Sequence, residues 1–203
     1  KVVSEKTCAI MVEPVQGEGG IVPFKPGFLT YLRKKCDEVG AILMLDQVQC
    51  GMMRTGKLFS HWHEEGLLPD TVSLAKALGC GFPIGALLVG PKVENVLQFG
   101  SHGSTFGGNP MASIVALEGL RILQSSELQE NVAARNKQLL AFLEKLNGEL
   151  GLFTEVRGKG LMIGAELVPE LHGKAGEIME HARLHGVLVL VAGPNVVRFL
   201  PPL

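Results

Sequence analysis

Positive charge is not in excess in this chain: across 203 residues, 19 lysines and arginines face 20 acidic residues, for a formal net charge of -1. That balance argues against a protein that grips nucleic acid through its phosphates. Long apolar runs are missing too. The longest, such as Gly186-Val187-Leu188-Val189-Leu190-Val191-Ala192, fall far short of the roughly 20 residues of a membrane-spanning helix and read as strands. The 4 cysteines, Cys8, Cys36, Cys50 and Cys80, form no C-x-x-C pair, which speaks against a zinc ribbon or a disulfide scaffold and favours a reducing cytoplasm. There is no internal repeat, no low-complexity segment, and neither an initial methionine nor a leader-like opening. From these ends the chain is expected to be a piece of something longer.

What is present describes a globular protein: 46% hydrophobic residues and 26 glycines, enough for a sizeable core. Short apolar runs alternate with helical patterns, which predicts an α/β fold with strands joined by helical crossovers into a mainly parallel sheet. The strands are predicted at 8–13, 41–46, 71–74 and 84–89. A helix is predicted over Pro26–Cys36, ending before Gly40. Asn109-Pro110 reads as a cap followed by proline at the first helical position, opening a buried helix over Met111–Leu123. Ser126-Glu127-Leu128-Gln129 reads as a capping box that opens an amphipathic helix through about Glu149. A boundary is expected there, with residues 1–125 in part of a large domain. Residues 126–203 would form a small α+β domain, with strands near 152–157, 160–167, 187–191 and 196–200 and a helix over 174–185.

Two apolar runs end on chemistry. Ala41-Ile42-Leu43-Met44-Leu45 delivers Asp46, and Thr71-Val72-Ser73-Leu74-Ala75 delivers Lys76 just ahead of Gly79-Cys80-Gly81. A carboxylate and an amine, each emerging from the end of a strand-like run, are what pyridoxal phosphate needs: an amine to bind it covalently and a carboxylate to keep its ring nitrogen protonated. Metal chemistry has less support. His61 and His63, and His181 and His185, are spaced for ligation, but no thiol or carboxylate completes either set, so no metal is expected. Gly158-x-Gly160 lies between strand-like segments and lacks the dinucleotide spacing.

Five motifs extend the pattern over the whole chain: Glu13-Pro14-Val15-Gln16-Gly17-Glu18-Gly19-Gly20, Asp46-Gln47-Val48-Gln49-Cys50-Gly51-Met52-Met53-Arg54-Thr55-Gly56, Ser73-Leu74-Ala75-Lys76-Ala77-Leu78-Gly79-Cys80-Gly81-Phe82-Pro83, Gly103-Ser104-Thr105-Phe106-Gly107-Gly108-Asn109-Pro110 and Val197-Arg198-Phe199-Leu200-Pro201-Pro202. In this order they resemble the class III pyridoxal-phosphate aminotransferases. Within that family, His102-Gly103-Ser104-Thr105, Arg157-Gly158-Lys159-Gly160-Leu161 and Val191-Ala192-Gly193-Pro194-Asn195-Val196-Val197-Arg198 are most similar to the acetylornithine and succinylornithine aminotransferases.

The resemblance implies a fold-type-I transferase and a role for each residue. Lys76 would hold the cofactor, yield it to the substrate amine, and move the proton between the substrate carbon and the cofactor C4'. Asp46 would pair with the ring nitrogen, Val48 would pack on the ring, and Gln49 would donate to the phenolic oxygen. Ser104 and Thr105 would serve phosphate and substrate, with Thr105 reaching the cofactor of a neighbouring subunit in a homodimer. Arg198 would grip a substrate carboxylate, with Glu18 as its partner when an acylated ornithine or another amine-terminal donor enters in place of 2-oxoglutarate. Ornithine δ-aminotransferase and other ω-aminotransferases are close alternatives, and a non-catalytic homologue or inactive fragment is the alternative of a different kind.

Relative to the family pattern, the phosphate loop and ring-stacking aromatic of the N-terminal half and a helical segment after Pro201-Pro202 are missing. Three further departures stand inside the motifs: Gln47 in place of the usual glutamate, Met53 in place of glycine, and Cys80 within a glycine run. They are expected to alter rate or substrate preference rather than abolish the chemistry.

Overall fold

The computed structural model describes residues 2–203. Four strands, β1 (Ala9–Val12), β4 (Ile42–Asp46), β5 (Thr71–Leu74) and β6 (Ala86–Val89), form one sheet in that order. The β1–β4 and β4–β5 pairs are parallel, and β5–β6 is antiparallel. The expected mainly parallel α/β sheet is therefore present with one reversed edge. A two-stranded ribbon, β2 (Val15–Gln16) and β3 (Val22–Pro23), follows β1.

Helix α1 (Phe28–Val39) makes the crossover from β3 to β4, and it runs past the predicted end at Cys36 until Gly40 takes a left-handed turn at φ 74. Its Leu29, Leu32 and Cys36 pack on Ala41, Leu43 and Leu45. Those three residues recur at helical spacing and so share one face.

Helix α2 (Pro110–Leu123) begins as predicted, with the Asn109 side chain accepting from the Ala112 amide at 2.9 Å. It is not the buried helix expected from its apolar run. Only Ala112, Ala116, Gly119 and Leu123 are buried, while Met111, Ile114, Leu117 and Ile122 are exposed. The run is apolar all round because two faces differ in what they meet, and just one of them meets this chain.

Helix α3 (Ser126–Leu150) corrects the capping prediction by one residue. Ser125, not Ser126, supplies the hydroxyl that accepts from the Leu128 amide at 3.2 Å.

A second sheet follows, antiparallel, in the order β7 (Phe153–Lys159), β8 (Met162–Leu167), β10 (Val196–Phe199) and β9 (Leu190–Val191). Helix α4 (Ala175–Leu184) lies between β8 and β9 in the chain. The predicted strand at 187–191 shrinks to its last two residues. Leu143 of α3 and Ala175 of α4 close on Phe153, Ile163, Ala165, Leu167 and Val197. A smaller core of Val15, Ile21, Cys50, Met162, Ala192 and Val196 joins segments from both sheets and fixes one against the other.

Candidate active site

Asp46 and Ser73 are register partners on parallel strands, so β4 and β5 release the chain at the same edge of the sheet. In open α/β sheets the crevice beyond the strands' carboxyl ends is where ligands bind. Leaving β4, the Asp46 carboxylate accepts from the Val48 amide at 3.0 Å, which bends the chain and presents Gln49. Leaving β5, Lys76 opens a short 3-10 turn over Lys76–Gly79 with φ 48. A non-glycine residue in the left-handed region costs on the order of 1 kcal/mol, and such strain concentrates where function fixes a side chain's direction. The amine is exposed, and with Gln49, Arg54, Ala77, Cys80, Gly81 and Leu200 it lines a cavity of about 410 Å³.

The second sheet brings Arg198 to this cavity's edge. One of its Nη atoms donates to Glu18 Oε1 at 2.5 Å and lies 3.4 Å from Gln49 Oε1. Arg198 is 8% exposed, and its Nε is buried with no hydrogen-bond partner among the described residues. Glu18 keeps 78% of its side chain in solvent. A buried guanidinium with unused donor capacity, held by a carboxylate that is free to swing away, is suited to an incoming anion. Gly17 makes the close approach possible, since a Cβ there would stand 2.2 Å from Gln49 Nε2.

Of the residues singled out in the sequence, Lys76, Gln49, Arg198 and Glu18 thus converge. Asp46 and Val48 stand half-buried in the same turn and are not among the cavity walls. Ser104 and Thr105 are not brought in. They are exposed on the stretch between β6 and α2, with no side-chain hydrogen bond to the cavity residues. Of the two cysteines near the turns, Cys50 is buried and its thiol is pushed up to about 11 by that burial, whereas Cys80 is exposed on the cavity wall.

Three residues went unassigned in the sequence. Gln47 is 0% exposed: its Oε1 accepts from the Ser60 amide at 2.6 Å, so the amide nitrogen is the end that meets His61 Nδ1 at 2.6 Å. His61 must therefore accept there and carry its proton on Nε2. Burial lowers its pKa from 6.5 to about 4. Arg157 donates through Nε and Nη to the carbonyls of Gly20 and Ile21 at 2.8 to 3.2 Å, tying the Glu18 loop to β7. Arg54 donates to Leu161 O at 3.1 Å and to Pro201 O at 2.6 Å. All three stand inside quoted motifs.

The class-III aminotransferase family profile matches residues 1–203. An acetylornithine aminotransferase of Xanthomonas axonopodis pv. citri is 57% identical over 195 residues, covering 96% of this chain and 48% of that protein. The crystal structure of the N-acetylornithine aminotransferase of Stenotrophomonas maltophilia K279a superposes with a TM-score of 0.90 at 50% identity, over 97% of this chain and 51% of the other. An ornithine aminotransferase of Toxoplasma gondii, crystallised with oxidised glutathione and holding PLP at partial occupancy in its active site, gives a TM-score of 0.85 at 36% identity, over 96% and 46%. The chain spans about half the length of the curated relatives it matches. With a mainly parallel sheet that carries Asp46 and Lys76 at the ends of adjacent strands, and this degree of identity throughout, the chain belongs to the class-III aminotransferase family and has the α/β fold of the fold-type-I pyridoxal-phosphate transferases.

Proposed function

We propose that the full-length protein carrying this chain is a pyridoxal-phosphate-dependent transaminase that moves the amino group of N2-acetylornithine, or of succinylornithine, to 2-oxoglutarate. The observation that carries the reading is the convergence of Lys76 and Gln49 on one cavity with the Glu18–Arg198 pair at its edge.

The residues fit the cofactor by their chemistry. Lys76 offers an exposed amine on a strained turn, Asp46 a carboxylate at the neighbouring strand end, and Gln49 an amide whose oxygen faces Arg198 and whose nitrogen remains a donor. When bound, pyridoxal phosphate supplies the electron sink that makes a substrate Cα–H acidic. Lys76 Nζ would accept that proton and give it back, acting in turn as base and acid. The Asp46 carboxylate would pair with the ring nitrogen, Gln49 Nε2 would donate to the phenolic oxygen, and Val48 would offer an apolar surface to the ring.

Arg198 serves substrates of two kinds. With Glu18 in place its charge is covered, so an acylated ornithine meets a neutral wall; with Glu18 swung out, the guanidinium and its free Nε take a carboxylate of 2-oxoglutarate or glutamate.

Residues 1–125 form part of the cofactor-binding large domain and 126–203 the small domain, in keeping with their separate sheets. The exposed Ser104–Thr105 stretch extends to the neighbouring subunit of a homodimer, where Thr105 meets that subunit's cofactor phosphate. Large apolar side chains around it, Phe99, Phe106, Val96 and Leu97, are exposed, as expected of a surface that another chain covers. Among the described residues no helix is long and apolar enough to cross a membrane; the proposed location is cytoplasmic.

The test is amino transfer by the full-length protein with pyridoxal phosphate, comparing N-acetylornithine, succinylornithine and ornithine as donors to 2-oxoglutarate. Preference for an acylated donor supports the reading. Preference for free ornithine moves it to an ornithine δ-aminotransferase, and no transfer from any donor leaves a non-catalytic relative.

A further inference from the structure

Arg54 occupies an unusual position between the two halves of the site. It belongs to the turn that follows β4, yet its Nη1 reaches across to two carbonyls of the second sheet's segments, Leu161 O at 3.1 Å and Pro201 O at 2.6 Å. Its own carbonyl accepts from the Leu161 amide at 2.9 Å. Side chain and main chain of one residue thus hold the β7–β8 turn at Leu161, and the side chain also reaches the segment that follows β10.

The joint is closed further by its neighbours. A Cβ on Gly160 would stand 2.4 Å from the Thr55 carbonyl carbon and 2.7 Å from Arg54 O, so only glycine lets the chains meet. Asn136 of α3 donates to Gly160 O at 2.6 Å, and Thr55 Oγ1 donates to Cys50 O at 3.2 Å.

Pro201 lies three residues beyond Arg198. The intervening Leu200 is a wall of the Lys76 cavity, as is Arg54. Pro201 stands two residues past the end of β10 at Phe199, so a displacement there is passed to Arg198 through three peptide bonds. No carboxylate lies within ion-pair distance of Arg54 among the described residues, and burial lowers its pKa. Keeping a half-buried, uncompensated cation for two carbonyl bonds from one nitrogen is costly unless the geometry those bonds fix is needed there.

We propose that Arg54 is a positioning residue for Arg198: by clamping Leu161 O and Pro201 O it sets the distance between the carboxylate-gripping guanidinium and the amine of Lys76. The proposal rests on the function read above, in that Arg198 takes the carboxylate of the acidic substrate. Arg54 acts on that substrate only through Arg198.

The test uses the full-length protein loaded with pyridoxal phosphate and the variants Arg54→Lys, Arg198→Ala and the double variant. Arg54→Lys keeps the charge and loses the planar guanidinium that places Nη1 between the two carbonyls. It is expected to raise the KM for 2-oxoglutarate about tenfold, because misplacement by a fraction of an ångström weakens a bidentate grip, while kcat at saturation stays within about twofold and the cofactor absorbance is unchanged. In the Arg198→Ala background the same substitution should leave the KM unmoved, since a residue that acts through another has nothing left to position. Calorimetric binding of 2-oxoglutarate, which needs no turnover, should show the same pattern in Kd.

An equal effect of Arg54→Lys with and without Arg198 overturns the proposal and makes Arg54 a direct contact. A fall in kcat and melting temperature with KM unchanged overturns it in favour of a purely structural pin. Binding of 2-oxoglutarate that depends on Arg198 but occurs without amino transfer would sink the transaminase reading and leave the positioning role standing. Binding that ignores Arg198 in the parent protein would sink the positioning role.

Discussion

The turn that follows β4 and the stretch between β6 and α2 both carry residues expected at a cofactor, yet they are built in opposite ways. From Gln47 to Gly56, buried side chains dominate and internal partners are dense: Gln47 N donates to Ser73 O, Gly51 N to Gln47 O, Thr55 Oγ1 to Cys50 O, and Gln47's amide clamps Ser60 and His61. From Val93 to Asn109, Val93 alone is buried, while Phe99 and Phe106 stand in solvent and the bonds are local turns. The first region is positioned by its own chain. The second has large apolar side chains in solvent, as the proposed subunit contact would require.

That contrast is sharpest for activity against stability. Lys76→Ala in the full-length protein should lower amino transfer by at least about 10³-fold with little change in melting temperature, because Lys76 is exposed and nothing packs on its amine. A steady-state assay and a thermal melt check both halves.

Thr105→Ala should leave stability within about 0.5 kcal/mol and weaken cofactor retention, whereas Gln47→Leu should cost about 2–4 kcal/mol by orphaning the Ser60 amide and the His61 ring nitrogen. Chemical denaturation of both variants measures this, and equal losses would erase the distinction between the regions.

Acid should act on the self-contained turn first. His61 is held neutral in the fold, its pKa lowered by burial to about 4 from 6.5. Between those values the unfolded chain binds the proton that the folded chain refuses, so stability falls as the pH drops through this window and levels off below it, by up to about 3 kcal/mol. His61→Phe should flatten that part of the stability curve. Gln47→Glu, which sets a carboxylate against the ring, should flatten it as well by holding the imidazolium.

Two effects of opposite sign concern residues at positive φ where the family pattern has glycine, Met53 at φ 65 and Cys80 at φ 48. Cys80→Gly should stabilise by up to about 1 kcal/mol, since it relieves the left-handed strain and gives up an exposed side chain. Met53→Gly should destabilise by about 2–4 kcal/mol, because Met53 is 2% exposed in the core formed by Val72, Leu74 and Ala116, and lost packing outweighs the relief.

The large-domain strands were legible because their apolar runs end on charged or glycine residues, and Asn109-Pro110 was legible because cap and proline act locally. Two readings failed where local pattern lacks the deciding information. Ser126 and Ser125 are both capping types, and the helix axis chose the earlier one. The Met111–Leu123 run could not reveal that half of its apolar surface faces away from this chain. At the site, Lys76, Gln49, Glu18 and Arg198 could be named because their motifs are specific. Arg54, Arg157 and Gln47 could not, since their partners are carbonyls, amides and a ring nitrogen up to 147 residues away, and carbonyls and amides leave no trace in sequence.

The central claim is that Lys76 is the residue that bears the cofactor. Borohydride reduction of the full-length protein loaded with pyridoxal phosphate, followed by peptide mass analysis, tests it most directly. A phosphopyridoxyl mass on the peptide that contains Lys76, absent after prior exchange with N-acetylornithine, is the expected result. A label on another lysine, or none on any, would contradict the account.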